Sequence, residues 1–282
     1  MSDKPLAGKE QGTPGRDLAA RFANRIKIVV PERRNEKLAR LIERVNADDE
    51  LYALWVAENV TAIDRLGMTD HGPVHVKIVM NLSVRLLRLL VERGVEPSVV
   101  RDYGMSVDDA EVVVALAALF HDVGMSIHRA DHEAYSLFVA QPKLKELLDD
   151  LYPMHQATIM RSEILHAIIS HRAGGEPLTV EAGIVRIADA LDIAKGRSRI
   201  PFESGSVSIH SVSAAAIEAV KLERGRQKAV RIVIEMSNSA GVFQIDELFR
   251  KKLLGSGLEP HVELEAQVAE EGEKQLLRRY EL

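Results

Sequence analysis

Four side chains that can bind a divalent metal stand at three separated places in this sequence of 282 residues. His121 and Asp122 are adjacent at the end of an apolar run, His75 lies upstream, and Asp189 ends a second apolar stretch downstream. An adjacent His and Asp at the end of an apolar helix are badly placed for packing and well placed for a metal. Because the sequence has no Cys, imidazole and carboxylate must hold any ion, which suits Mn, Fe, Co, Ni, Zn or Mg. We therefore predict one or two divalent ions at these residues.

Three more histidines are candidate ligands. His71 is four residues before His75, which places both on one face of a helix predicted to start near residues 69–71. Asp122 can offer its second oxygen to a second ion, and His132 and His171 lie between the two Asp positions. Each of these three histidines could equally be a hydrogen-bonded structural residue. The same stretch contains further histidines at His128, His155 and His166.

The segments that must position these residues are predicted to be helices. Apolar residues recur at helical spacing from about residue 34 to residue 199. We expect Gly94 to close one helix and Asp108-Asp109 to open the next. We also expect the prolines to fall between helices rather than within them, at Pro142, Pro153 and Pro177.

The pattern changes after Pro201. Alternating apolar residues predict strands at residues 207–210, 217–222, 230–234 and 262–265, and a helix spans residues 245–254. The predicted fold class is therefore mainly α, with an all-α helical bundle followed by a small α+β C-terminal domain. We assign residues 1–17 to a disordered tail, 18–203 to the helical domain and 204–282 to the α+β domain.

The composition of the chain limits its expected partners and its expected location in the cell. A net charge of −5 gives no general attraction to nucleic acid, so we expect nucleic acid only as a substrate. No apolar run reaches the ~18 residues that span a bilayer. The N-terminus lacks the apolar centre of a signal peptide. We predict a cytoplasmic protein with no membrane association.

The ordered motifs resemble the HD-domain superfamily of metal-dependent phosphohydrolases. The resemblance rests on His75, then His121-Asp122, then Asp189 within Ala-Asp-Ala-Leu-Asp, and it covers about residues 69–200. It implies an all-α HD-type catalytic domain, the four ligands named above and hydrolysis of phosphate esters. It also implies ligand roles for His171, which precedes a Gly-rich loop, and for His132 at a helix start. Asp192 is a second choice as ligand, or a partner that orients a ligand His.

The chemistry implied is attack by a metal-activated water, with His121 and Asp122 as catalytic residues. A phosphoryl centre needs cations around its oxygens as charge builds. Lys195, Arg197 and Arg199 follow Asp189 closely enough to contact phosphate, although a solvated loop between two domains explains them as well. Further candidate cations adjoin a candidate His, at Arg129 and Arg172.

Several functions remain open from sequence. The first is hydrolysis of a phosphate ester, most readily a nucleotide or short phosphodiester. The second is a regulatory or assembly module with a structural metal site, and the third is an HD-type di-iron oxygenase. The sequence lacks the Gly-Tyr-Pro signature of the branch acting on cyclic diguanylate, and it lacks the nucleotidyltransferase domain joined to alarmone hydrolases. We expect a homodimer, because strand edges in the C-terminal domain need a partner or a cover.

Overall fold

Helices dominate the described residues between 18 and 193, as the periodicity of the sequence predicts. The computed structural model describes residues 18–30, 34–172, 174–193, 213–268 and 279–281. The predicted tail at residues 1–17 lies outside this range. A π-helical turn spans Val60–Arg65 and a 3-10 turn spans Val123–Ser126. The α-helices of this part are α1 (Leu18–Ala23), α2 (Glu36–Ala47), α3 (Asp49–Asn59), α4 (Pro73–Glu92), α5 (Ser98–Tyr103), α6 (Val107–Phe120), α7 (His132–Leu148), α8 (Met154–Ser170) and α9 (Val180–Ala190).

Helix α6 forms the centre of the bundle. Ser106 and Asp109 form a capping box at its N-terminus, which satisfies two backbone N–H groups that the first turn leaves open. Every residue from 109 to 120 is buried, and α2, α4, α8 and α9 pack around it. The indole of Trp55 in α3 donates a hydrogen bond to the carbonyl of Leu119 at 2.9 Å. The end of α6, where His121 follows, is therefore held from several sides.

The start of α4 differs from the prediction. The helix begins at Pro73, whose fixed φ and missing N–H suit the first helical position. His71 thus precedes the helix rather than lying one turn before His75 within it. The Asn59 side chain accepts a hydrogen bond from the His71 backbone N–H at 3.1 Å and holds this loop. The predicted end is confirmed, because Gly94 follows Glu92 closely and adopts φ +82°.

Pro142 also corrects the sequence prediction, because it lies inside α7. A proline there removes the hydrogen bond to the carbonyl four residues earlier. Pro142 and Phe138 are both exposed, so the Phe138 carbonyl, which would accept that hydrogen bond, lies on the solvent side of the helix. Packing of Ala140 and Leu144 into the core keeps the helix continuous. Pro153 and Pro177 lie between helices, as predicted.

The described C-terminal part is a small sheet with one helical crossover. The strands are β1 (Ile217–Arg224), β2 (Val230–Met236), β3 (Val262–Val268) and β4 (Arg279–Glu281), in that order across the sheet. The first two form an antiparallel hairpin, β2 and β3 are parallel, and β3 and β4 are antiparallel. The parallel pair requires a crossover, supplied by a helical segment at residues 239–253 of mixed 3-10, α and π geometry. The predicted strand at 207–210 lies outside the described residues.

The helical segment 239–253 packs on α9. The guanidinium of Arg186 in α9 donates hydrogen bonds to the backbone carbonyls of Lys252, Lys251 and Leu254 at 2.9, 3.2 and 3.3 Å. Gly183 permits close approach, because a Cβ there would lie 2.3 Å from the Ser256 carbonyl oxygen. The buried apolar residues of the two parts form one continuous core. The predicted boundary near residue 203 falls outside the described residues and stays a prediction.

Mainly-α architecture with a small α+β C-terminal part is thus confirmed. Within the described residues, no helix is both long enough and apolar enough to cross a membrane.

Candidate metal centre

Five helix ends bring the predicted ligands to one buried place. His75 lies in the first turn of α4, and His121 directly follows α6. Asp122 is in the tight turn after it, with φ −106° and ψ 0°, so it has already left the α-helix. His132 begins α7, His171 follows α8 and Asp189 is in the last turn of α9. The site is assembled from helix termini, so rigid packing of the bundle sets its geometry.

The four principal candidates lie around the paired Nε2 atoms of His75 and His121. Nε2 of His75 and Nε2 of His121 are 3.1 Å apart. Oδ2 of Asp122 lies 3.3 Å from His121 Nε2 and 3.6 Å from His75 Nε2. Oδ1 of Asp189 lies 3.5 Å from His75 Nε2 and 3.7 Å from His121 Nε2. We call this group of four residues the first subsite.

The other oxygen of Asp122 faces a second group. Its Oδ1 lies 2.9 Å from His132 Nε2 and 3.6 Å from His171 Nε2. The three residues Asp122, His132 and His171 offer ligand atoms within 4.8 Å of one another. We call them the second subsite. Asp122 therefore stands between two histidine pairs and can present one oxygen to each.

Hydrogen bonds at the outer ring nitrogens orient three of these histidines. Nδ1 of His75 lies 2.6 Å from Asp192 Oδ2. Nδ1 of His121 lies 2.8 Å from the Ala118 carbonyl, and Nδ1 of His171 lies 2.7 Å from the Ile168 carbonyl. Carbonyl and carboxylate oxygens accept only, so each Nδ1 carries the proton and donates it. In the neutral tautomer each Nε2 then has its lone pair directed into the site, as a metal ligand requires.

The close approach of two imidazoles fits a bound cation. Lone pairs on the Nε2 atoms of His75 and His121 would repel each other at 3.1 Å unless a proton or a metal lies between them. Burial alone would lower the pKa of His121, but Asp122 and Asp189 raise it well above its ordinary value. The raised pKa of His121 favours a proton at this place in the metal-free protein. A divalent ion must displace it, so metal binding releases a proton and is stronger at higher pH.

The carboxylates are ionised and ready to bind. Burial would raise the pKa of Asp122, but His121, His132 and His171 hold it well below its ordinary value. Burial acts in the same direction on Asp189, whose pKa Lys252 and the first-subsite histidines hold well below its ordinary value. Imidazole nitrogens and carboxylate oxygens without a thiolate suit a divalent transition ion. The residues present therefore fit the predicted metal.

The remaining sequence candidates divide by position. The His71 ring centroid is 5.5 Å from that of His75, and its Nδ1 is 2.8 Å from the Thr69 carbonyl. His71 adjoins the first subsite without joining the grouped ligand atoms of the described residues. Nη1 of Arg129 is 2.8 Å from His132 Nδ1, whereas Arg172 is exposed. The predicted phosphate-binding cations Lys195, Arg197 and Arg199 lie outside the described residues.

Three further histidines of the helical part lie outside both subsites, namely His128, His155 and His166. Of these, His128 and His155 are exposed. His166 accepts a hydrogen bond from the Leu178 backbone N–H at 3.0 Å, which gives it a structural role.

Two residues near the site were missed by sequence reasoning. Lys252 forms an ion pair with Oδ2 of Asp189 from 63 positions along the chain, and nothing local to Lys252 signals it. Glu58 is fully buried in α3, where burial and then Asp122 raise its pKa well above the ordinary value. A signal for Glu58 did exist, because it continues the apolar face of Leu51 and Trp55 at helical spacing.

Replacing Glu58 with Met is expected to stabilise the metal-free protein by roughly 2 kcal/mol near pH 7. Both carboxylate oxygens are buried without a hydrogen-bond partner among the described residues. The pKa of Glu58 is raised in the folded protein. At a pH above 4.5, folding must therefore either protonate Glu58 or bury its charge, and both cost free energy. The gain should therefore shrink as the pH falls toward 4.5, where unfolded Glu58 is protonated too. Urea unfolding at several pH values measures this.

The exposed Glu43→Met serves as control and should change stability by no more than about 0.5 kcal/mol. A Glu58→Met protein less stable than its parent at every pH would contradict the prediction.

Removing the Asp192 side chain is expected to weaken metal binding by roughly 10–100-fold. Asp192→Ala leaves the Nδ1–H of His75 without its acceptor, so the ring loses its fixed tautomer and orientation. Calorimetric titration of the metal-free protein with Mn²⁺ measures the effect. Asp102→Ala, on the surface of α5, should bind as the parent does. Equal affinity in the Asp192 variant would show that the ring is held by other contacts.

Comparison with known proteins agrees with this centre. A family model described as HD domain matches residues 75–194, the range that runs from His75 to just beyond Asp189. An uncharacterized protein of Methanocaldococcus jannaschii is 42% identical over 213 residues, which is 76% of this chain and 82% of that protein. With the His, His-Asp and Asp residues gathered at one point, the chain belongs to the HD-domain family of metal-dependent phosphohydrolases.

Proposed function

We propose that the protein hydrolyses a phosphate ester, a nucleotide or short phosphodiester, with a metal-activated water as nucleophile. The single observation that carries this proposal is the placement of Asp122 between two histidine pairs, one oxygen toward each. When bound, the ions lower the pKa of a water toward ~7 and stabilise charge on the phosphoryl oxygens. A carboxylate shared between two subsites suits two such ions better than one.

The chain's own residues hold and orient this centre. His75, His121 and Asp189 complete the first subsite with Asp122, while His132 and His171 complete the second. Asp192 fixes the ring of His75. Burial of the centre excludes bulk water, which strengthens each electrostatic contact within it. Phosphate contacts from Lys195, Arg197 and Arg199 remain predictions.

A diester is favoured over a monoester by the two-subsite arrangement. In-line displacement at phosphorus develops charge on both the attacking and the leaving oxygen, and paired ions can stabilise both. The assay uses protein loaded in turn with Mn, Fe, Co, Ni, Mg or Zn. Substrates are nucleoside mono-, di- and triphosphates, cyclic nucleotides and short RNA or DNA, with products separated by chromatography. We expect diester cleavage that Asp122→Ala abolishes.

Absence of turnover on the whole panel with all six metals would refute the proposal. The alternative function, a regulatory or assembly module with a structural metal site, would then take its place. For such a module we expect the stability of the protein to depend on metal, with no turnover of substrate. Monophosphate cleavage alone would change the assignment to a nucleotidase.

A di-iron oxygenase is the second candidate, and the second subsite is the observation that favours it. His132 and His171 supply the additional imidazoles that this chemistry needs beside Asp122. Iron-loaded protein that consumes oxygen with an organic substrate and hydrolyses no phosphate ester would select this candidate. Hydrolysis that proceeds equally with Mn and without oxygen would exclude it as the main activity.

We also propose that the protein is a homodimer joined through its C-terminal sheet. Strand β1 ends the described strand order, and edge strands are where sheets of two chains pair. Part of this edge lies against α4, where Arg85 donates a hydrogen bond to the Leu222 carbonyl at 2.6 Å, so pairing would use the remainder of the strand. Two-fold pairing is the commonest closed arrangement. Native mass spectrometry of the full chain over a dilution series should show a dimer. A monomer at every concentration would contradict this proposal.

A further inference from the structure

Lys252 reaches the first subsite from the C-terminal part of the chain. Its ammonium pairs with Oδ2 of Asp189, while Oδ1 of the same carboxylate faces the histidines. The two oxygens of Asp189 are thus divided between a cation site and a lysine. The side chains of Lys252 and Asp189 are 18% and 17% exposed, so this ion pair lies at the edge of the metal centre rather than sealed inside it.

The backbone around Lys252 is anchored, which fixes where its ammonium can go. Arg186 bonds the carbonyls of Lys251, Lys252 and Leu254. Its position in α9, one turn before Asp189, makes one helix hold both partners of the ion pair. A loose surface lysine would lose about 2 kcal/mol of side-chain entropy on ordering, whereas the Lys252 side chain is already held against Asp189 in the metal-free protein.

Charge at the site changes when metal binds. In the metal-free protein the ammonium neutralises Asp189. A divalent ion held by the first subsite would take over much of that neutralisation, and the ammonium beside it would then be only weakly compensated. An ammonium beside a bound dication attracts an anion, and phosphoryl oxygens are anions that Lys binds as a point charge.

We propose that Lys252 is a substrate-binding residue that contacts a phosphoryl oxygen at the first subsite, so that the C-terminal part completes the active site. This inference rests on the proposed phosphohydrolase function. It also assigns a task to the helical segment 239–253, which presents the lysine. The sequence candidates Lys195, Arg197 and Arg199 are not required for it.

The test uses the full chain and inorganic phosphate as the probe. Metal-free parent and Lys252→Met are first titrated with Mn²⁺ by calorimetry. The Mn²⁺-loaded proteins are then titrated with phosphate, and binding is followed by broadening of the ³¹P resonance. We expect Lys252→Met to bind Mn²⁺ as tightly as the parent or up to about tenfold more tightly, because a nearby positive charge is gone. Phosphate binding should weaken about tenfold or more.

Retained or increased affinity for Mn²⁺, together with weakened binding of phosphate, distinguishes this role from a structural one. If Lys252 only oriented Asp189 or held the fold, Mn²⁺ and phosphate affinity would fall together, which would overturn the proposal. Phosphate affinity within twofold of the parent would overturn it as well. Lys252→Arg should restore much of the phosphate binding. The control Lys251→Met, at the exposed neighbouring position, should match the parent for both ligands.

The outcome is separable from that of the proposed function. If phosphate binding depends on Lys252 but the protein has no esterase activity, the phosphate-binding role of Lys252 is supported and the hydrolytic function is refuted. If the parent hydrolyses an ester and Lys252→Met has the same KM and phosphate affinity as the parent, the role of Lys252 is refuted and the hydrolytic function is supported.

Discussion

Alanine at Asp122 is expected to remove metal from both subsites at once. Asp122 is the residue common to the two groups, with Oδ2 toward His75 and His121 and Oδ1 toward His132 and His171. Its loss should cost more than the roughly 10–100-fold that follows loss of a residue that only orients a ligand. Elemental analysis after dialysis against low metal measures the content, and we expect less than about one tenth of the parent's.

Helix content should survive the change. The side chain lies after the end of α6, so Asp122→Ala removes no intrahelical hydrogen bond. Circular dichroism of the variant checks this. The matched control is His128→Ala, which deletes an exposed histidine a few residues later and should keep full metal content. Full occupancy in the Asp122 variant would mean that the ions bind elsewhere.

Replacing Arg186 with Met is expected to destabilise the full chain by about 3 kcal/mol or more. The guanidinium is buried and donates to four backbone carbonyls, those of Gly175, Lys251, Lys252 and Leu254. Without it those acceptors have no donor in the same place, and each unsatisfied buried group costs about 1–3 kcal/mol. The melting temperature should fall by roughly 6–12 °C.

Thermal and urea unfolding of the metal-free protein measure this loss. Arg186→Lys keeps the charge but not the planar fork, so it should fall between parent and Met variant. Arg40→Met, on the exposed side of α2, should stay within about 0.5 kcal/mol. A loss below about 1 kcal/mol at Arg186 would show that water or a neighbouring donor replaces the guanidinium.

Local signals in the sequence predicted much of the fold. Helical spacing of apolar residues foretold the bundle, and Gly94 correctly marked the end of α4. Alternation foretold β1, β2 and β3. The errors came where tertiary structure outweighs local preference. Pro142 stays within α7 because the residues around it pack into the core, and His71 is left outside α4 because Pro73 is the better first residue.

The residues of the candidate site, like the fold, were predictable from the sequence only in part. His75, His121, Asp122 and Asp189 were identifiable because each ends or begins a strongly periodic segment, so their types and order carry information without a structure. Their roles as ligands stay a prediction until metal is measured, but their meeting at one point agrees with it.

Only the tertiary structure decided which further residues join them. Sequence could not choose among His71, His132 and His171, because the choice depends on how α7 and α8 pack against α6. Nor could it find Lys252, which meets Asp189 only because the crossover between parallel strands lays a helical segment on α9. Periodicity reports which face of a segment is buried. It does not report which distant segment lies against that face. The second subsite, and the lysine beside Asp189 of the first subsite, both depend on such contacts.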